Sequence, residues 1–137
     1  MTITAAFPNQ AKLDALIALC PPGDAYKMAL YVSTATLNKA DTVYSATGEV
    51  SGTGYTAGGI ALTGLTQALD GDVAIMDFAD ASWPNATITA RGARIYHVPS
   101  GKVKAVLDFG ADVTATAGTF NVALPAPAAA TAVIRIA

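Results

Sequence analysis

The stretch "KVKAVLDF", residues 102–109, sets the strongest constraint on the fold. Val103, Ala105, Leu107 and Phe109 fall on one parity, and Lys102, Lys104 and Asp108 on the other. A repeat of two is that of an extended strand with one face in a core and the other in solvent. The alternation returns at Phe120, Val122 and Leu124, and the chain closes on "AVIRIA", a last strand. Tyr26–Ser33, Ile60–Leu65 and Val73–Phe78 are further short apolar runs, and a loop through Asp70-Gly71-Asp72 separates the last two.

In "ATITARGARIYH", residues 86–97, Ile88 and Ala90 share one face, and Gly92 shifts Ala93 and Ile95 to the opposite parity. That shift predicts a β-bulge. Val98-Pro99-Ser100-Gly101 reads as a hairpin turn, and "TATLNKADTVYSATG" as a loop holding one helical turn. Seven or so short strands at this spacing predict a mainly β chain, a β-sandwich or jelly roll with one short N-terminal helix. The helix is "NQAKLDALIALC", residues 9–20. Asn9 is placed to cap it, Leu13, Leu16, Ile17 and Cys20 share a face, and Pro21-Pro22-Gly23 ends it. The 137 residues suit a single domain, with 1–25 a helical arm and 26–137 the sandwich.

Charge is the second constraint. Only 13% of residues are charged, about half the usual share. Of the 53% hydrophobic residues, thirty are alanine. Obligate interfaces are depleted of charge, so this composition favours a surface covered by other subunits. A net charge of −2 with scattered Lys and Arg argues against nucleic acid, which demands clustered cations. No run reaches the roughly 18 apolar residues of a membrane span. The N-terminal apolar stretch is broken by Lys12 and Asp14 and does not read as a signal peptide. A lone Cys20 forms no internal disulfide, which fits folding in a reducing cytoplasm.

Several stretches imitate chemical motifs. Gly52-Thr53-Gly54-Tyr55-Thr56-Ala57 satisfies G-x-G-x-x-G/A, but a dinucleotide loop requires a helix directly afterwards, and "GGIALTG" is β-like. Asp108-Phe109-Gly110 spells a kinase triplet with none of its companions. A serine hydrolase would need His97 poised against Ser100 or a distant serine, with a carboxylate behind it, and nothing in the sequence resembles a nucleophile elbow. One His and one Cys are too few for zinc. "VAIMDFAD" (73–80) and "KAVLDFGAD" (104–112) echo each other. Were they adjacent, Asp77, Asp80, Asp108 and Asp112 would gather as oxygen ligands for a cation, or as paired carboxylates for hydrolysis. Trp83, Tyr55 and Tyr96 are the aromatics with which a carbohydrate-binding surface would stack.

Four segments, "YSATGEVSGTGYTAGG", "WPNATITARGARIYH", "AVLDFGAD" and "TAVIRIA", together resemble a family of small virion structural proteins of tailed bacteriophages. The likeness covers about residues 26–137, in order and with similar spacing; residues 1–25 carry little of it. It implies a particle component without enzymatic activity, catalytic residues, cofactor or metal. A capsid decoration (cement) protein is the first expectation, and a receptor- or carbohydrate-binding piece of a head fibre, neck or tail the alternative. Its partners would be the major capsid protein or other virion proteins, and further copies of itself as a dimer or trimer. It would be made in the host cytoplasm and reside in the virion, with neither nucleic acid nor membrane as partner. Residues 48–59 are expected as an exposed loop or arm between subunits, with Glu49, Gly52, Gly54, Tyr55, Gly58 and Trp83 at the contact.

Overall fold

Pro8 fixes where regular structure begins. Its φ of −58° and ψ of 141° lead into α1, Asn9–Leu19, in the computed structural model, which describes all 137 residues. Asn9 is therefore not the cap. It stands in the first turn, and its side-chain amide donates to Asp72 Oδ1 at 2.9 Å. The expected face is kept in part, since Leu16 and Cys20 are buried and Leu13 packs against the core. Lys12, Leu16 and Cys20, spaced four apart, turn inward, while Ile17 is 39% exposed. Lys12 tolerates burial because its stem packs and its ammonium donates to the Asp72 carbonyl at 2.7 Å.

Seven strands follow: β1 (Tyr26–Tyr31), β2 (Ile60–Ala61), β3 (Thr66–Asp70), β4 (Val73–Asp77), β5 (Ala81–His97), β6 (Val103–Val122) and β7 (Ile134–Ile136). The chain is mainly β, in two antiparallel sheets with strand orders β2-β1-β5-β6 and β3-β4-β7. α1 packs on the second sheet, where Gln67 of β3 donates to the Cys20 carbonyl at 2.8 Å.

Several expectations about the chain's elements need correction. β3 occupies a stretch read as loop, because its inward positions are Gln67 and Leu69, and the glutamine hides the alternation. Only Ile60–Ala61 of the run to Leu65 is strand, and the 34–48 segment contains no helical turn. β6 is one strand of 20 residues rather than two. Its middle is built of Ala, Thr and Gly, and positive φ at Gly110 (81°) and Ala117 (47°) bends it without ending it. A register shift between Ile95 and Tyr96 sets Val103 against Tyr96. Val103 thus packs on the face opposite Ala105, Leu107 and Phe109.

The bulge expected near Gly92 is present as a register shift between Ala90 and Gly92. Trp83 and Pro84, read as a lead-in, lie inside β5; a second shift between Trp83 and Ala86 accommodates the proline. The turn after His97 closes as expected, with Gly101 N–H donating to the His97 carbonyl at 2.8 Å.

One core joins α1 and both sheets, through Leu16, Met28, Leu30, Met76, Trp83 and Ile95. Across the first sheet a smaller cluster of Ala29, Tyr31 and Tyr96 lies under Ala35, Leu37 and Tyr44. No helix is long and apolar enough to cross a membrane.

Candidate interaction surface

Residues 48–59 are stitched to their own sheet. Val32 N–H donates to the Gly48 carbonyl, and Val50 N–H to the Leu30 carbonyl, each at 2.9 Å. The Glu49 carboxylate then gathers three donors: the Tyr44 hydroxyl, the Tyr55 hydroxyl at 2.5 Å and the Gly58 N–H at 2.8 Å. Tyr55 also accepts the Leu30 N–H at 3.0 Å, and Tyr96 donates to the Gly58 carbonyl at 2.5 Å. Burial raises the Tyr55 and Tyr44 phenols, and the adjoining Glu49 carboxylate raises them further.

The glycines serve close approach to this chain's own backbone. Gly59, at φ 85°, abuts the Met28 carbonyl, so a β-carbon there would collide with it. Gly54, at φ 83°, would meet the Ala86 Cα at 2.8 Å. Thr87 N–H closes the segment onto β5 by donating to the Thr53 carbonyl at 3.0 Å.

Gly52 and Gly54 are exposed, whereas Glu49, Tyr55 and Gly58 are half-buried. Trp83, expected on the same surface, is 3% exposed. It is stacked against Tyr55 at 6.2 Å and meets Phe120 edge-on at 6.0 Å. Tyr96 is 7% exposed.

Around this clasp, Arg94 fastens the 32–44 segment. It reaches Asp41 at 3.0 Å and the Thr36 carbonyl at 3.1 Å, with its guanidinium 4.4 Å from the Tyr31 ring centroid.

His97 does stand between a serine and a carboxylate. Its Nδ1 is 2.6 Å from Ser100 Oγ, and its Nε2 is 2.7 Å from Asp24 Oδ2. In the hydrolase arrangement the serine shares Nε2 and the carboxylate Nδ1. Here the order is reversed, and Ser100 Oγ accepts the Lys102 N–H of its own turn at 3.3 Å. The array clips the β5–β6 turn to the loop ahead of β1.

The four aspartates do not meet, and no three His, Cys, Asp or Glu residues gather as metal ligands. The echoed segments lie in different sheets. Asp77 is buried on β4, its Oδ1 accepting the Phe78 N–H at 2.9 Å. Asp80 accepts the Leu124 N–H at 2.8 Å. Asp108 pairs with Arg91 at 3.1 Å, and Asp112 is exposed. The Gly110 N–H, then Arg91, hold the Asp108 carboxyl below the usual range.

One surface feature carries no sequence motif. β6 is an edge strand, with β5 on one side and, beyond the Val43–Lys102 bridge, no strand on the other. Along it runs a groove of about 190 Å³ lined by Phe109, Val113, Phe120, Asn121 and Val122. The signal for it was the uncharged run "VTATAGTFNV", which small residues disguise as a loop. No protein-family model matches the chain, and no curated protein or solved structure does either.

Proposed function

We propose that this chain is a structural component of a bacteriophage particle, a capsid decoration protein that bridges neighbouring shell subunits. The two sheets sharing one core are read as a β-sandwich with α1 at its side. The segments that carry the family resemblance fall on the Glu49 clasp, on β5 and β6, and on β7 at the far sheet. They therefore mark the body of the fold rather than one loop.

The observation that carries the reading is the long, largely uncharged free edge of β6. Monomeric proteins blunt such edges with charge, proline or short length. A lattice component instead covers them with a neighbour. Opening the shell would then expose the covered area to water, and repetition across many subunits multiplies modest contacts by avidity. The receptor-binding alternative requires exposed aromatic platforms. Trp83 and Tyr96 are buried, and Tyr55 is engaged with Glu49 and Leu30, so the aromatics do not favour it.

The test is to mix purified protein with heads lacking it, then image them with a label against this chain. Regular decoration of the shell is expected. A protein that never associates with heads would overturn the proposal.

A further inference from the structure

We propose that residues 113–122 of β6 pair antiparallel with the same segment of a second copy about a two-fold axis. The two four-stranded sheets would thereby join into one of eight strands. This rests on the oligomeric part of the reading above and names its surface.

The free edges of this molecule are not alike. β2 has two residues and β7 three, with Arg135 at its centre; β3 ends on Asp70. Each is short or charged, as edges that avoid pairing are. The first half of β6 carries Lys104, Asp108 and Asp112. Residues 113–122 carry no charge and no proline, yet they form ten residues of open ladder.

The same segment is its own complement. Read from both ends, "VTATAGTFNV" matches in polarity at every position. With the axis between Ala117 and Gly118, Val113 lies opposite the partner's Val122, and Thr114 opposite the partner's Asn121. Ala115 lies opposite the partner's Phe120, and Thr116 opposite the partner's Thr119. An isologous contact demands this kind of self-complementarity.

The faces agree as well. Ala115, Phe120 and Val122 pair with Ile88, Trp83 and Ala81 on the core side, while Thr114, Thr116, Thr119 and Asn121 are exposed. The register therefore sets core-side residues against core-side residues, and a small alanine against a large phenylalanine. Val113, 42% exposed at the edge, would be covered together with the groove beside it. The bend at Ala117 (φ 47°) falls at the axis, so neither half-ladder is interrupted. Asp112 would face the partner's Ala123, and no like charges are opposed. Strand addition of this kind takes its affinity from main-chain hydrogen bonds and its register from alternate side chains.

The experiment measures the mass of the full chain in solution by light scattering or sedimentation. Wild type is expected at twice the 13.8 kDa chain mass. Two double variants, T116K/T119K and T116E/T119E, place like charges opposite each other twice, and each should weaken the dimer by roughly tenfold or more. All four substitutions fall at exposed positions, and circular dichroism checks that the fold is kept. Mixing the two folded variants should restore the dimer, because lysine then opposes glutamate. A monomeric or trimeric wild type, undiminished association in both variants, or a mixture that fails to associate would each overturn the pairing. Head binding is scored separately. A wild-type dimer that ignores heads removes the decoration reading and leaves this one standing.

Discussion

The Tyr55 hydroxyl lies 2.5 Å from Glu49 Oε2 while accepting the Leu30 amide at 3.0 Å. One phenol thus links a loop carboxylate to the backbone of β1. Because Glu49 also holds Tyr44 and Gly58, its removal strands three donors at once.

Glu49→Ala should therefore destabilise the fold by about 2–3 kcal/mol, and Tyr55→Phe by about 1–1.5 kcal/mol. The two losses should not add, since they share one hydrogen bond. Urea unfolding of the single and double variants measures this. Strict additivity would show that the clasp is not a unit.

All five tyrosines have raised phenol pKa values, with Tyr26 pushed up to about 12, chiefly by burial. A raised value means the folded state favours the neutral phenol. That contribution is complete below the ordinary tyrosine pKa near 10 and is lost as pH rises through the folded values. Above pH 10 each phenol that stays neutral weakens the fold by up to about 1.4 kcal/mol per pH unit. Tyrosinate absorbance should consequently appear together with unfolding, not before it. Free titration near pH 10 with the far-ultraviolet spectrum unchanged would contradict this.

Gly59→Ala should prevent stable folding, because the added carbon meets backbone that cannot swing away. Gly23→Ala, with open space at that position, should leave the melting temperature within about 2 °C, or raise it slightly. Thermal melts of the pair separate a local collision from a general intolerance of alanine.

Trp83 is the only tryptophan, so its fluorescence reports its burial directly. Emission should be blue-shifted, resistant to iodide and indifferent to added sugars. Trp83→Ala should cost about 3–5 kcal/mol of stability, the usual effect of emptying an aromatic core site. Red-shifted emission quenched by iodide would place the ring at the surface instead.

The Asp108 carboxyl titrates below the ordinary range, so whatever it contributes is present above that range and lost as pH falls through its folded value. The group is exposed, so Arg91→Ala should raise its NMR titration midpoint without moving the unfolding curve. A clear loss of stability in that variant would mean the pair carries more than surface geometry suggests.

The β character of the chain was legible because Ala105, Leu107 and Phe109 recur at a period of two, as do Ile88 with Ala90 and, past the shift at Gly92, Ala93 with Ile95. Pro21-Pro22-Gly23 and Val98–Gly101 punctuated the chain equally well. The hidden parts share one cause. Gln67 in β3 and the Ala-Thr-Gly middle of β6 satisfy the strand through hydrogen bonding and small size, which hydropathy does not register. The Glu49 clasp is half legible, since Glu49, Tyr55 and Gly58 stand out in the sequence but their bonds to one another do not. Tyr44 stands only five residues from Glu49, but Tyr31 and Arg94, which hold the segment ahead of it, come from distant positions, and only tertiary geometry brings them together.

The sheet that carries β6 also sets an order of assembly. β5 and β6 are joined by a turn of five residues, whereas β1 pairs with β5 from Tyr26 to His97, across most of the chain. Short loops close faster than long ones. The β5–β6 hairpin should thus protect its amides first in pulsed hydrogen exchange, and β1 should wait for it. During synthesis β1 emerges long before its partner strand exists. Between those two moments Met28, Leu30 and Tyr31, all fully buried in the finished fold, stand uncovered, and the nascent chain is then most vulnerable to aggregation.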